Sequence, residues 1–421
     1  MKVHGSIQPP GDKSITHRSL LLAALAQGRS RISGALTSLD ARSMAEALRS
    51  LGASISPLEP GATITVEGRG LRGLTRSAAP LDCGNSGTAA RFLLGLASAF
   101  PFATRLIGDE SLQRRPMRRV TIPLRAMGAR FVEENGDGLP LTVSGGNLVP
   151  LDYTSPTASA QVKGSRVFAG LAGGVPVTVR EPVRSRDHTE RMLRALGVTV
   201  ETDGVVVRLT PPTSIPSFDL PVPADPSSAA FLVAAALLAE SGELSVVNVG
   251  VNPTRVGFLA VMERMGADVR IEDRRDVVGE PVATIRVRPS RLRATDITPD
   301  EVPSLIDEIP ILAVLASRAE GESTFRGVEE LRVKESDRLA LMARNLGAVG
   351  VDAEASTDTL TIRGSNSVPR GAVRTAWDHR IAMSFAVLNT CRGADIQLSE
   401  TESVAVSYPG FFEQLGGVLR D

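Results

Sequence analysis

Apolar positions recur at helical spacing along this chain, and one short signature marks where such helices stop. It reads LRSLGA at 48–53, LRAMGA at 124–129, LRALGV at 193–198, MERMGA at 262–267, ARNLGA at 343–348 and FEQLGG at 412–417. Each copy predicts the end of an amphipathic helix, a glycine C-cap in the left-handed region and a strand beyond it. The capping positions are Gly52, Gly128, Gly197, Gly266, Gly347 and Gly416, spaced 69 to 81 residues apart. Six copies at a near-constant period indicate a repeated structural unit.

Upstream of each signature runs a more apolar segment opened by small or polar residues. These segments are SITHRSLLLAALA from Ser14, SGTAARFLLGLA from Ser86, SAQVKGSRVFAGLA from Ser159, SSAAFLVAAALLA from Ser227, DEIPILAVLA from Asp307 and HRIAMSFAVL from His379. Segments apolar nearly all round predict buried helices, whereas their Arg- and Glu-bearing neighbours predict helices that face water. β-rich stretches such as RSRISG, ATRLIG, VPVTVR and ELSVVNV follow. One unit therefore reads strand, apolar helix, strand, amphipathic helix, strand, strand.

Length turns six units into two domains of three, since 421 residues exceed one ordinary core. The proline-rich stretch TPPTSIPSFDLPVPADP (210–226) predicts a linker, with an earlier crossing near Pro9-Pro10-Gly11. The expected domains are residues 12–222, and residues 1–11 together with 223–421.

Composition then excludes several classes. With 47 acidic and 47 basic residues the net charge is zero, and aromatics make up 4%, so nucleic acid is not an expected partner. Two cysteines, Cys83 and Cys391, allow neither a disulfide framework nor a cysteine zinc site and suit a reducing cytoplasm. Four scattered histidines without HxxxH spacing point away from a metal. The N-terminal MKVHGSIQPPGDK lacks the apolar core of a signal peptide, and the run Ala229 to Ala239 is too short to span a bilayer. A cytoplasmic protein with no membrane partner is expected. Among the basic residues only four are lysine, and three of them, Lys13, Lys163 and Lys334, stand inside dense polar motifs. A compact ammonium with a movable proton does what a guanidinium cannot.

The polar starts of the apolar helices are the candidate chemistry. A helix N-terminus carries unpaired N–H groups and about half a positive charge, so it attracts anions. Ser and Asp there also serve as ordinary N-caps. The anion reading gains from Lys13, Arg18, Arg91, Lys163 and Arg380 at the same ends. Lys13 and Arg18 lie in GDKSITHR, which is not a Walker loop; DCGNSGT is a glycine-rich turn into a helix, and QRRP pairs Arg114 with Arg115. LIDEIP sets Asp307 and Glu308 at the entry of a very apolar helix, where Asp307 is either an N-cap or, with its carboxylate desolvated, a usable base. EELRVKESDR, read as a helix, sets Lys334 and Arg338 on one face at i, i+4, either as a salt-bridged surface or as ligand contacts.

Seven motifs in order, PGDKSITHR, GNSGTAAR, RRPM, SAQVKGS, SRDHTERML, RVKESDR and DHRIAM, resemble the EPSP synthase (3-phosphoshikimate 1-carboxyvinyltransferase) family from residue 9 to FFEQLGGVL. The resemblance implies a two-domain inside-out α/β barrel of six βαβαββ repeats, three per domain, with helix N-termini facing an interdomain cleft. It implies transfer of the enolpyruvyl group of phosphoenolpyruvate to the 5-hydroxyl of shikimate 3-phosphate through a tetrahedral intermediate. No metal or organic cofactor is implied, and a monomer is expected.

By motif match, Lys13, Ser14 and Arg18 hold the shikimate carboxylate and 5-hydroxyl region. Ser159, Ala160, Gln161 and Arg186 surround the 3-phosphate. Asp307 and Lys334 reach the shikimate hydroxyls, with Asp307 as base, and Glu335 exchanges protons with C3. Gly87, Arg115, Gln161, Arg338 and Arg380 contact phosphoenolpyruvate, and Lys13 lies between the substrates. Gly87 predicts sensitivity to glyphosate, because bulk there excludes it in this family. Two departures stand out: Val406 replaces a frequent lysine, a contact that Lys163 could supply instead, and Glu330 replaces a frequent asparagine. The sister enzyme acting on UDP-N-acetylglucosamine typically has GAKNA and a loop cysteine, and this chain has neither. A non-catalytic phosphometabolite binder on the same fold would lack the acid–base residues Lys13, Asp307 and Glu335, which are present here.

Overall fold

The computed structural model describes residues 1–420. The chain forms two compact units. The first comprises Gly11–Val222 with Val277–Glu280, and the second Met1–Pro10, Pro223–Asp276 and the chain from Pro281 onward. Each has its own apolar core, around Leu20, Phe92 and Phe168 in the first unit and around Phe231, Leu312 and Phe385 in the second.

The first unit contains α1 (Lys13–Leu25), α2 (Leu39–Ser50), α3 (Gly87–Ala97), the short α4 (Glu110–Gln113), α5 (Arg118–Ala126), α6 (Ala160–Gly173) and α7 (His188–Ala195). The second contains α8 (Pro226–Leu237), α9 (Gly257–Arg264), α10 (Ile309–Ser317), α11 (Arg338–Ala348), α12 (His379–Leu388) and α13 (Phe411–Val418). The predicted split into apolar and amphipathic helices is present. Every residue of α8, α10 and α12 is buried, whereas α7 buries only His188, Thr189, Glu190, Met192 and Leu193. Fully burying a Leu or Phe side chain contributes about 1.5–3 kcal/mol, so the inner helices carry most of each core.

Several of the sheets repeat one strand order. In the first unit, Leu81–Asp82 pairs parallel with Thr104–Ile107, which pairs antiparallel with Leu141–Ser144 and through it with Arg130–Glu133. Leu151–Thr154, Val177–Arg180, Val206–Leu209 and Val200–Asp203 follow the same order. The remaining repeat departs from the sequence expectation. Its parallel strand is Asp219–Pro221, registered on Arg31–Ser33, so the stretch read as a linker is partly sheet. The second unit borrows in the same way, with Ser6–Ile7 parallel to Ser245–Val246. The last repeat keeps only the parallel pair Arg370–Val373 and Asp395–Leu398. After α13 the chain pairs antiparallel with Lys2–Val3 instead.

The capping glycines also need correction. Gly52, Gly128, Gly197 and Gly266 have positive φ, as predicted. In the fifth repeat α11 runs past Gly347 and the left-handed turn falls at Gly350, while Gly416 lies inside α13. Among the described residues no helix is long and apolar enough to cross a membrane.

Candidate active site

In the first unit three buried helices begin with capped, cation-bearing ends. Asp12, Ser86 and Ser159 are the N-caps of α1, α3 and α6, accepting from the N–H groups of Ile15 (2.8 Å), Ala89 (3.2 Å) and Val162 (3.4 Å). The cap of α1 is thus Asp12, and Ser14, from which the apolar segment was read, lies inside the first turn.

Lys13 opens α1, with Nζ 3.1 Å from Asp40 Oδ2 and a side chain 21% exposed. Arg18, one turn on, is buried. Its Nε donates to Thr189 Oγ1 (2.7 Å), Nη1 donates to the Ser14 carbonyl (2.8 Å), and its guanidinium lies over the Phe92 ring at 4.8 Å. Burial pulls its pKa down to about 10, against the raising fields of Glu190, Asp12 and Glu280, so it stays protonated at neutral pH. His17 ties two helix ends together. Nδ1–H donates to the Lys13 carbonyl at 2.8 Å, which leaves Nε2 to accept from Ser86 Oγ at 3.1 Å. Burial holds His17 neutral, with its pKa down to about 4.

Gly87 opens α3. A Cβ there would sit 3.1 Å from Arg91 Nη1 and 3.1 Å from Arg115 Nη1, so glycine lets two guanidinium groups close on the helix end. Arg115 donates to Asn85 Oδ1 (2.6 Å) and Ser111 Oγ (3.3 Å), while Arg114 points outward to Glu110. The paired arginines of QRRP therefore split into one inward and one outward cation. Gln161, in the first turn of α6 after Ala160, accepts from Arg91 Nη1 and donates to Thr88 Oγ1 (2.9 Å), joining α6 to α3. Arg186 is half-buried, and its charge acts on Arg18.

Lys163 is not a surface cation. Its side chain is 2% exposed, with Nζ 3.1 Å from Glu181 Oε2 and 2.7 Å from Glu190 Oε1. Held inside by two carboxylates, it does not stand in for the lysine absent at Val406.

In the second unit the candidates gather on a carboxylate network. Asp307 lies in the 3-10 turn Ile306–Glu308 and does not cap α10, so the N-cap reading of this residue fails. Its Oδ1 is 3.6 Å from both Lys334 Nζ and Arg338 Nη1. Lys334 and Arg338 do not share a helix. Lys334 follows the 3-10 segment Glu329–Val333, which also carries Glu330, whereas Arg338 opens α11. Two secondary structures nevertheless bring both cations to one carboxylate. Glu335 Oε2 lies 2.5 Å from Arg338 Nη2, and Asp378 Oδ2 accepts from Arg338 Nε (2.8 Å) and Ser336 Oγ (2.8 Å). Burial opposes the charge on Arg338, but Asp378, Glu335 and Asp307 outweigh it and raise its pKa. Asp378, buried too, is held below the usual carboxylate range by Arg338.

Asp378 Oδ1 also caps α12 through the Arg380 N–H (2.9 Å). Arg380 donates from Nη1 to the Asp307 carbonyl (2.8 Å) and from Nη2 to Ser227 Oγ (3.1 Å). Behind it the buried Glu308 binds Arg255 at 2.9 Å. Sequence reasoning missed this support, along with Asp40, His17, Glu181, Glu190 and Asp378 as partners. His17, Glu190, Glu308 and Asp378 lay inside quoted motifs, but nothing in the spacing named what they would touch.

A family model described as EPSP synthase (3-phosphoshikimate 1-carboxyvinyltransferase) matches residues 1–415. The 3-phosphoshikimate 1-carboxyvinyltransferase of Geobacillus kaustophilus is 46% identical, covering 99% of this chain and 98% of its own. That of Gloeobacter violaceus is 47% identical, covering 100% and 97%. Among solved structures, the EPSP synthase of Acinetobacter baumannii superposes with a TM-score of 0.88 at 39% identity, covering 99% of this chain and 96% of that one. The enolpyruvyl transferase NikO of Streptomyces tendae shares the fold at a TM-score of 0.80 and 18% identity. Whole-length identity near one half, on the same six-repeat framework, makes this chain a member of the EPSP synthase family.

Proposed function

We propose that this chain transfers the enolpyruvyl group of phosphoenolpyruvate to the 5-hydroxyl of shikimate 3-phosphate and releases phosphate. The observation that carries the reading is a family match over residues 1–415 whose chain carries cation-bearing helix ends in one unit and the Asp307–Arg338–Glu335 network in the other. Two phosphates and two carboxylates must be held, and preorganised cations and N–H groups do this without reorganising during the reaction.

Shikimate 3-phosphate falls to Lys13, Ser14 and Arg18 at its carboxylate and 5-hydroxyl side. Ser159, Ala160, Gln161 and Arg186 take its 3-phosphate, and Asp307 and Lys334 its hydroxyls. Phosphoenolpyruvate falls to Lys13, Gly87, Arg115, Gln161, Arg338 and Arg380. Gln161 already links Arg91 to Thr88, so it can respond to both ligands.

The proton balance assigns the catalytic roles. As the 5-hydroxyl oxygen bonds to C2 of phosphoenolpyruvate, its proton passes to Asp307. Glu335, a carboxylate beside Arg338 in the free chain, takes up a proton from solvent as phosphoenolpyruvate claims Arg338, and delivers it to C3, giving the tetrahedral ketal. In the second half the C2–O bond to phosphate breaks and Glu335 recovers a proton from the C3 methyl. The departing phosphate takes a proton from the Lys13 ammonium, and Asp307 then gives up the 5-hydroxyl proton to neutral Lys13, which restores both groups; a guanidinium could not play this part. Neither Val406 nor Glu330 is needed for any of these steps.

A phosphate-release assay tests the reading. Release is expected with shikimate 3-phosphate and phosphoenolpyruvate together. No release with this pair, alongside release with UDP-N-acetylglucosamine and phosphoenolpyruvate, overturns it. The reading extends to a monomer in the cytoplasm, supported there by two free cysteines, one of them buried. Sedimentation at working concentration checks the monomer.

A further inference from the structure

Lys163, Glu181 and Glu190 form an ion cluster that none of the proposed catalytic steps uses. All three side chains are 3% exposed or less. The two carboxylates come from different elements. Glu181 follows the strand Val177–Arg180, and Glu190 sits in the first turn of α7, while Lys163 is in α6. Two buried carboxylates sharing one ammonium leave a net negative charge, and without the ammonium they would repel each other in a poorly solvated interior.

Both oxygens of Glu181 have further work. Oε1 accepts the backbone N–H of Ser159 at 2.9 Å, and Oε2 accepts the Ser185 hydroxyl at 2.7 Å. One carboxylate therefore fastens the head of α6 to the residue immediately before Arg186. With its N–H occupied and its Oγ accepting from Val162, Ser159 keeps its hydroxyl hydrogen for an incoming acceptor. Glu190 lies next to Thr189, whose Oγ1 receives Arg18 Nε.

We propose that Lys163, Glu181 and Glu190 act as a buried positioning unit for the phosphate of shikimate 3-phosphate. Lys163 balances the two carboxylates, and Glu181 in turn fixes Ser159 and the Ser185–Arg186 segment relative to one another. Lysine suits the place because a single nitrogen satisfies carboxylates from two directions, where a guanidinium would bring a larger planar fork. The inference rests on the assignment of the 3-phosphate to Ser159, Gln161 and Arg186.

The test is steady-state kinetics of the full-length Lys163→Met, Glu181→Gln and Ser159→Ala variants, each checked for a cooperative thermal transition. Lys163→Met should raise KM for shikimate 3-phosphate about tenfold or more while KM for phosphoenolpyruvate stays within about twofold. Glu181→Gln leaves Lys163 paired with Glu190, so it keeps the fold if Lys163→Met does not, and the same selective rise is expected. Unchanged constants, an equal rise in both, or a rise for phosphoenolpyruvate alone overturns the proposal. Ser159→Ala separates the two layers of the argument. If it raises KM for shikimate 3-phosphate while the other two variants are silent, the positioning unit is wrong and the phosphate assignment stands. If it has no effect, the assignment falls and the inference falls with it.

Discussion

Two sets of arginines, one in each unit, are held in different ways. In the first, Arg18 hydrogen-bonds a hydroxyl and a carbonyl, Arg91 reaches the Gln161 amide, and Arg115 reaches Asn85 and Ser111. In the second, Arg338 lies among Asp378, Glu335 and Asp307, and Arg255 pairs with Glu308. Proton affinity differs accordingly: burial lowers it for Arg18, whereas Asp378, Glu335 and Asp307 raise it for Arg338 against the same burial. Neutral partners orient a cation without cancelling its charge, which leaves it available to an anionic ligand. Carboxylate partners cancel the charge but fix the acid–base groups to one another. Arg18 is oriented by neutral oxygens, whereas Arg338 keeps Asp307, Glu335 and Asp378 in register.

The largest test of this contrast is a stability measurement. Asp378→Asn keeps an N-cap for α12 but removes a counter-charge from Arg338, so urea denaturation should show a loss of about 3 kcal/mol. That is the low end for a broken buried pair, since Glu335 remains 2.5 Å away. Arg18→Met, the corresponding change in the first unit, should cost about 1 kcal/mol because its hydrogen bonds go to neutral oxygens. Equal losses would break the comparison. Next in size is Lys13→Arg, which keeps the charge and the pairing with Asp40. Stability should hold while kcat falls about 100-fold, the scale of one lost proton-transfer group. Near-normal turnover would reduce Lys13 to a fixed charge.

His17 carries the contrast into pH. Burial dominates its shift, and Lys13 and Arg18 reinforce it while Asp40 and the Lys13 carbonyl oppose it, which sets the value at about 4 against 6.5 unfolded. Between those values the unfolded chain binds more protons than the native one. The contribution is therefore complete above pH 6.5 and is lost as pH falls toward 4, by about 2 kcal/mol at pH 5. His17→Asn should flatten that part of the stability profile relative to the unsubstituted protein. Parallel profiles would mean that His17 binds its proton equally well in the folded and the unfolded chain.

Much of this framework was legible in the sequence. Six buried helices, their amphipathic partners and the polar helix entries follow from local periodicity, which each segment carries within itself. What failed was non-local or alternative local chemistry. The strands Asp219–Pro221 and Ser6–Ile7 complete repeats far from them in sequence, and no pattern within either stretch records a partner. Asp307 reads equally well as a cap until the 3-10 turn is seen, and Lys334 leaves the helix that spacing assigned to it. Lys163 failed for a different reason. A lysine in a polar motif gives no sign of whether its partners are substrate or, as here, Glu181 and Glu190, residues 18 and 27 positions further along.

The smallest expected effect belongs to Gly87, and it probes how far neutral anchoring leaves a cation free to move. A methyl group there would meet the Nη1 atoms of Arg91 and Arg115 at 3.1 Å, and both are the far ends of flexible side chains. Gly87 is the first residue of α3 and its φ is not left-handed, so alanine brings no backbone strain and a small helix-propensity gain. Stability should therefore stay within about 0.5 kcal/mol. The arginines would instead retreat by a few tenths of an ångström from the position at which phosphoenolpyruvate is proposed to bind. KM for phosphoenolpyruvate should then rise severalfold, about 1 kcal/mol. Glyphosate should inhibit the unsubstituted enzyme competitively with phosphoenolpyruvate and inhibit Gly87→Ala more weakly. Full activity of the unsubstituted enzyme at saturating glyphosate would break this prediction. If Gly87→Ala changed neither constant, the placing of Arg91 and Arg115 at this helix end would not set the affinity for phosphoenolpyruvate or glyphosate.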